Sequence, residues 1–158
     1  MGSFNQVEWE QGLSEEITKD TLWRMKAYRI ALLLGAVGWR DVTKLVEDRR
    51  TAGVAEQLYR AIGSIGANIA EGYSRNSGKD RARYYEYALG SARECKHWYA
   101  HSEPVLTKKV VGHRLNLLSE IIRLLLTIVP LERNKVLKEL TIEYNIREDV
   151  EANIPFAD

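Results

Sequence analysis

Ser64-Ile65-Gly66-Ala67-Asn68-Ile69-Ala70-Glu71-Gly72-Tyr73, with Gly90-Ser91-Ala92-Arg93-Glu94 downstream, is the stretch on which the fold turns. Its apolar residues recur as a helix requires, yet Gly63, Ser64, Gly66 and Asn68 stand where a plain amphipathic helix would carry Leu. Glycine costs a helix interior up to ~1 kcal/mol relative to alanine, and serine and asparagine cost less. A helix that keeps them needs close approach of a neighbour, specific polar contacts, or both. Upstream and downstream, Val54, Leu58, Ala61, Ile62, Ile65 and Ile69 form one apolar stripe, which defines a helix across the region. Gly72 is the expected left-handed residue at its end.

Three further helices flank this one. The first begins near Asp20-Thr21 and runs through Leu22, Met25, Tyr28, Ile30, Leu33 and Val37 to about Glu47. Gly35 and Gly38 predict a bend near Trp39. The third opens between Ser77 and Lys79 and aligns Tyr84, Tyr87, Ala88, Ser91, Cys95 and Trp98 on one face, ending by Pro104. The fourth carries Leu115, Leu118, Ile121, Ile122, Leu125, Ile128 and Val129 and stops near Pro130. No segment alternates with period two. Long helices with short connections predict an all-α, antiparallel up-and-down four-helix bundle. The expected division is a polar N-terminal segment over 1–19, the bundle over 20–131, and a charged tail or short helix over 132–158. In that last part Leu137, Leu140, Ile142 and Ile146 suit either a fifth short helix or a tail that orders on a partner.

Composition narrows the function classes. The chain has 158 residues, 45% hydrophobic and 28% charged, as expected of one soluble domain. Its single cysteine, Cys95, allows no internal disulfide and fits a reducing cytoplasm. The polar run Met1 to Glu10 does not read as a secretory leader, and the apolar runs Ala31 to Val37 and Leu124 to Leu131 are too short to span a bilayer. The net charge of +1 conceals an asymmetry. Residues 49–109 hold 11 Lys/Arg against 6 Asp/Glu, whereas 1–48 and 110–158 each hold 6 against 8.

The basic set in the middle is Arg75, Lys79, Arg81, Arg83, Arg93 and Lys96, continued by Lys108 and Lys109. Tyr73, Tyr84, Tyr85 and Tyr99 are interleaved with it. Cations for phosphates and aromatic faces for bases are what a single-stranded nucleic acid requires, although an ordinary solvated face has similar composition. Tyr84 and Tyr87 also suit the core. Asn68 and Glu71 share one helical face, as do Ser91 and Glu94. Asn68 and Glu71 are expected to bond backbone groups left unpaired by the nearby turn. Glu71 and Glu94 as paired catalytic carboxylates is the weaker reading, with no histidine or pocket-forming loop in support. Ser64, Gly66, Ala67, Gly90, Ser91 and Ala92 permit close helix approach, either inside the bundle or between subunits. Between Ile30 and Val37 the first helix is apolar nearly all round, including Leu32 and Leu34, which argues for oligomerisation. His97 and His101 lie one turn apart beside Cys95, but read as surface histidines rather than a metal site. Trp39 fits either a partner's anchor or the core. Neither G-x-x-x-x-G-K-[ST] nor G-x-S-x-G occurs, so no enzyme activity, cofactor or metal is expected.

Leu58 to Arg75, with its Asn68-Ile69-Ala70-Glu71-Gly72 centre, and Tyr85 to Glu94, with Gly90-Ser91 and Glu94, resemble the four-helix bundle proteins encoded in intervening sequences of bacterial 23S ribosomal RNA genes. The accessory variability proteins of diversity-generating retroelements belong to the same superfamily. The resemblance spans roughly residues 20–131. It departs at Cys95-Lys96-His97-Trp98, where relatives are more aliphatic, and over Gly35 to Val42. It implies a homopentamer with a central channel. In the retroelement branch it implies a basic pentamer that binds nucleic acid and partners a reverse transcriptase. The resulting expectation is a non-enzymatic nucleic-acid-binding accessory or scaffold with RNA or DNA as partner. A protein–protein adaptor without nucleic-acid binding is the alternative.

Overall fold

The computed structural model describes the backbone of residues 6–145 and the side chains of residues 6–135. Among the described residues all regular structure is helical, as six α-helices and one 3-10 turn. The short elements come first: α1 (Gln6–Gln11), α2 (Glu15–Thr18) and a 3-10 turn (Thr21–Arg24). The long helices α3 (Lys26–Leu45), α4 (Ala52–Tyr73), α5 (Gly78–His101) and α6 (Lys108–Asn145) follow.

Neighbouring long helices run antiparallel, as their contacts require. Gly38 faces Ile62 while Gly66 faces Ala31. Ser64 meets Ser91 while Gly72 meets Tyr85. Arg81 meets Glu132 while Lys96 meets Ser119. One core joins all four, with Leu34, Leu45, Leu58, Ile65, Ile69, Leu118, Ile121 and Leu125 wholly buried. Each such side chain stabilises the fold by ~1.5–3 kcal/mol relative to exposure.

The N-terminal boundary differs from expectation. Asp20 accepts a hydrogen bond from Leu22 N at 2.8 Å and caps the 3-10 turn, not a long helix. Met25 is extended (ψ 104°), so α3 starts one residue later. The segment expected as a polar lead-in packs Trp9 against the core. Through Gly35 and Gly38, α3 runs unbroken to Leu45. Gly38 instead allows close packing, since a Cβ there would lie 2.6 Å from Ile62 Cδ1.

Gly72 is a correction too. No glycine among the described residues has positive φ, and α4 continues through Gly72 to a Ser74 cap. The glycine is required by proximity: a Cβ would come within 2.7 Å of Tyr85 Cε1 and 3.0 Å of Tyr84 Cβ.

At the far end, α6 does not stop at Pro130 but contains it. Pro130 and Leu126 are exposed, so the Leu126 carbonyl left without its helical donor faces water, where the loss costs least. Beyond the proline, Glu132 and Arg133 tie the helix back to α5. Leu137, Leu140 and Ile142, expected in a separate fifth helix or a tail, continue the backbone of α6, and Ile146 lies outside the described residues.

Candidate nucleic-acid interface

Helix α5 starts cleanly. Ser77 Oγ accepts from Asp80 N at 3.1 Å and donates to Asp80 Oδ2 at 2.7 Å, satisfying an amide that the first turn leaves unpaired. The buried face is then Ala82, Tyr85, Ala88, Leu89, Ala92, Cys95 and Tyr99. Ala88 and Cys95 of the expected apolar face are buried, but Tyr85, Ala92 and Tyr99 take the places expected for Tyr84, Ser91 and Trp98, and Tyr87 is 52% exposed. Burial pushes the Tyr85 hydroxyl up to about 12 and the Cys95 thiol up to about 12, so both are neutral near pH 7.

Lys79, Arg83, Gly90, Arg93, His97 and His101 recur at intervals of three, four or seven and occupy the opposite, outward face. All six are exposed. From first to last the ridge is ~33 Å long at 1.5 Å per residue. Lys79 and Arg93 make no ion pair among the described residues, and Arg83 lies a loose 3.8 Å from Asp80. Glu86 and Glu94 share the phase of this ridge, and both are engaged. Glu86 accepts from Arg133 Nη2 at 2.5 Å, and Glu94 accepts from Trp98 Nε1 at 3.2 Å.

An aromatic margin borders the ridge on the α4 side. Tyr84 and Tyr87 meet in a T-shape at 5.7 Å. The guanidinium carbons of Arg75 and Arg83 lie 4.6 and 5.6 Å from the Tyr84 ring centroid. Arg75 also donates to Glu71 and, at 2.8 Å, to Tyr84 Oη. The Glu71 hydrogen bond is the main cause that raises the Arg75 pKa. Tyr73, 41% exposed, lies at the end of α4.

Two members of the basic set point elsewhere. Arg81 is turned inward: its Nε donates to Glu132 at 2.7 Å, and its Nη1 to the Arg75 and Asn76 carbonyls at 2.9 and 2.7 Å. Its side chain is only 20% exposed. It closes the α4–α5 connection, the task expected of Asn68 and Glu71. Lys96 donates to Ser119 Oγ at 3.2 Å. Asn68 instead donates to the Ser64 carbonyl at 2.8 Å and to Ser64 Oγ at 3.0 Å, while Ser91 Oγ lies 3.0 Å from the same Ser64 oxygen. Within the small polar run, Ser64 thus joins Asn68 of its own helix to Ser91 of α5. Glu71, held by Arg75 just past the end of α4, and Glu94, held by Trp98 of α5, do not form a carboxylate pair.

His97 and His101 have ring centroids 4.4 Å apart, and His101 Nδ1 lies 3.0 Å from the His97 carbonyl. Among the described residues, no group of three or more His, Cys, Asp or Glu could hold a metal ion.

A second polar cluster escaped the sequence reading. Asp41 is buried in α3, and both its oxygens accept from Arg114 of α6, at 2.8 Å from Nε and 3.1 Å from Nη2. Tyr99 of α5 donates to it at 2.9 Å. Burial, then the Asp41 charge and hydrogen bond, drive the Tyr99 pKa far above its ordinary value. The only signal for this knot was an acid at an apolar phase of α3, with no indication of its partners.

Residues 24–127 match the family model described as 23S rRNA-intervening sequence protein. The chain is also similar to the crystal structure of a protein with unknown function from the S23 ribosomal protein family of Bacteroides thetaiotaomicron VPI-5482. The identity is 25%, the match covers 65% of this chain and 97% of that one, and the TM-score is 0.61. No curated protein matches the chain. Among the described residues no helix is long and apolar enough to cross a membrane.

Proposed function

The chain belongs to the 23S rRNA-intervening sequence protein family, and from that premise we propose a non-enzymatic nucleic-acid-binding scaffold. In this reading a four-helix bundle closes into a homopentamer that holds RNA or DNA along the outer face of α5. The observation that carries it is the exposed ridge of Lys79, Arg83 and Arg93, whose neighbouring acids are engaged by other groups. Such a surface attracts phosphates by releasing their counterions, and the binding weakens steeply with salt. Five copies on one assembly would multiply a weak site by raising the effective ligand concentration. The partner this reading names is the reverse transcriptase of a diversity-generating retroelement, in the cytoplasm.

Charge reversal tests it. K79E, R83E and R93E combined should leave helicity intact and abolish gel retention of a single-stranded RNA at low salt. Each lost phosphate contact should flatten the log Kd against log salt slope by ~0.7. Retention that matches the parent protein at every salt concentration overturns the reading. Sedimentation at micromolar concentration tests the pentamer, and a lone protomer there rejects it. Truncation after Arg133 separates this scaffold from an adaptor: loss of a protein partner with RNA retention intact assigns the partner to the C-terminal segment.

A further inference from the structure

We infer that the groove between the C-terminal half of α3 and the α5–α6 connection is a nucleotide pocket. Its volume is about 630 Å³, inside the range of ~300–1,000 Å³ usual for ligand sites. It lies apart from the α5 ridge. One wall is α3, with Trp39, Arg40, Thr43 and Lys44; the other is the connection and the start of α6, with Leu106 and Thr107.

The floor is rigid and apolar. Leu106 is 5% exposed, and Val105 and Val110 pack against the core. Asp41 also lines the groove, but Arg114 and Tyr99 already satisfy its carboxylate. Of the two acids that line the groove, Asp41 is matched by Arg114 and Glu47 by Lys44.

The walls supply the remaining chemistry. Trp39 is 60% exposed although large, and a T-shaped contact with Tyr59 at 5.6 Å braces the ring. An indole held in place but open to solvent is a stacking surface. Thr43 donates its proton to the Trp39 carbonyl at 2.8 Å, which leaves its oxygen as an acceptor. Thr107 Oγ1 accepts from Val110 N at 3.4 Å, which leaves its proton to donate. Arg40 and Lys44 place positive charge at the rim, where Lys44 pairs with Glu47, itself part of the lining, in an exposed contact weak enough for a phosphate to compete with. Lys108 and Lys109 follow Thr107 and are exposed.

A flat heterocycle with hydrogen-bonding edges and an attached phosphate satisfies all of these groups together. The nucleotide is either free or an unpaired residue of an RNA strand. Only the second source rests on the nucleic-acid reading above. An aromatic side chain from a partner protein would use the indole and leave the cations idle.

The test uses the full chain labelled with ¹⁵N, the Trp39 indole N–H being assigned by its loss in W39F. AMP, UMP and a fluorescein-labelled ten-nucleotide single-stranded RNA are titrated separately, with the same RNA in duplex form as control. We expect the indole signal to shift on nucleotide addition and the Kd for single-stranded RNA to weaken about ten-fold in W39A. W39F should stay within about three-fold of the parent, because stacking is retained. K44E, at an exposed position that leaves the fold alone, should weaken binding of AMP and RNA alike. An indole that responds to AMP, with RNA affinity indifferent to W39A, assigns the pocket to a free nucleotide.

An indole unmoved by AMP, UMP and RNA overturns the proposal. So does a peptide or protein that shifts the indole where nucleotides do not. The two readings also fail separately. Loss of RNA binding on ridge reversal with none in W39A, and no response to mononucleotides, rejects the pocket and keeps the ridge. The converse keeps the pocket and rejects the ridge.

Discussion

Arg81 and Arg83 are two residues apart and chemically identical, yet one is structural and the other exposed. Two residues turn a helix by ~200°, which points Arg81 at α6 and Arg83 at solvent. Arg81→Ala should cost about 1–3 kcal/mol in urea denaturation, because it removes the guanidinium from the mostly buried Glu132, which keeps Lys135, and the donors from the Arg75 and Asn76 carbonyls. Arg83→Ala should cost little. Glu132 also predicts a pH dependence. Its burial opposes ionisation, but hydrogen bonds from Lys135 and Arg81 prevail and hold its pKa below the ordinary carboxylate value of 4.5. A depressed folded pKa means stability present above pH 4.5 and lost as pH falls through the folded value. Glu132→Gln should therefore narrow the stability difference between pH 7 and pH 4. An unchanged difference would contradict the assignment. None of this was legible beforehand, because the partner lies 51 residues away in the chain.

At the scale of the element, helix existence was readable and helix phase was not always so. Of the α4 stripe, Leu58, Ala61, Ile62, Ile65 and Ile69 are buried as their spacing demands, while Val54 is only half-buried. In α5 the core face is mostly small, with Ala82, Ala88 and Ala92, while tyrosines stand at 84, 85 and 87. Ring size then misleads, and the apparent stripe slips by one residue. Gly72 was legible as important but for the wrong reason, since a sequence cannot separate a glycine needed for φ from one needed for clearance. Gly72→Ala should destabilise by about 1–3 kcal/mol, because the Tyr85 ring must move. Pro130 read as a stop because ties on its far side, Arg81–Glu132 and Glu86–Arg133, are long-range. Pro130→Ala should restore one helical hydrogen bond and raise the melting temperature.

At the scale of the whole molecule, the all-helical bundle was readable and its assembly was argued from greasiness. Of the two leucines behind that expectation, Leu34 is buried inside one chain and Leu32 is not. What stays open is a shallow groove with Tyr28, Leu32, Gly35, Gly63 and Ala67. Nothing lies within 4 Å of where a Cβ would stand on Gly35 or Gly63. If a second chain packs on this face, Gly63→Leu should disrupt association in sedimentation while helicity persists. If the face is bare, Gly63→Ala should stabilise the protomer by up to ~1 kcal/mol and leave its sedimentation unchanged.

The knot of Asp41, Arg114 and Tyr99 bears on how this sequence can drift. Either charge alone, stranded in so poorly hydrated a place, should cost about 3–5 kcal/mol, whereas replacing both with apolar side chains should cost far less. A lineage can therefore seldom leave this arrangement one mutation at a time. Asp41 and Arg114 are a single heritable character, kept or surrendered jointly by descendants, even though 73 positions of chain separate them.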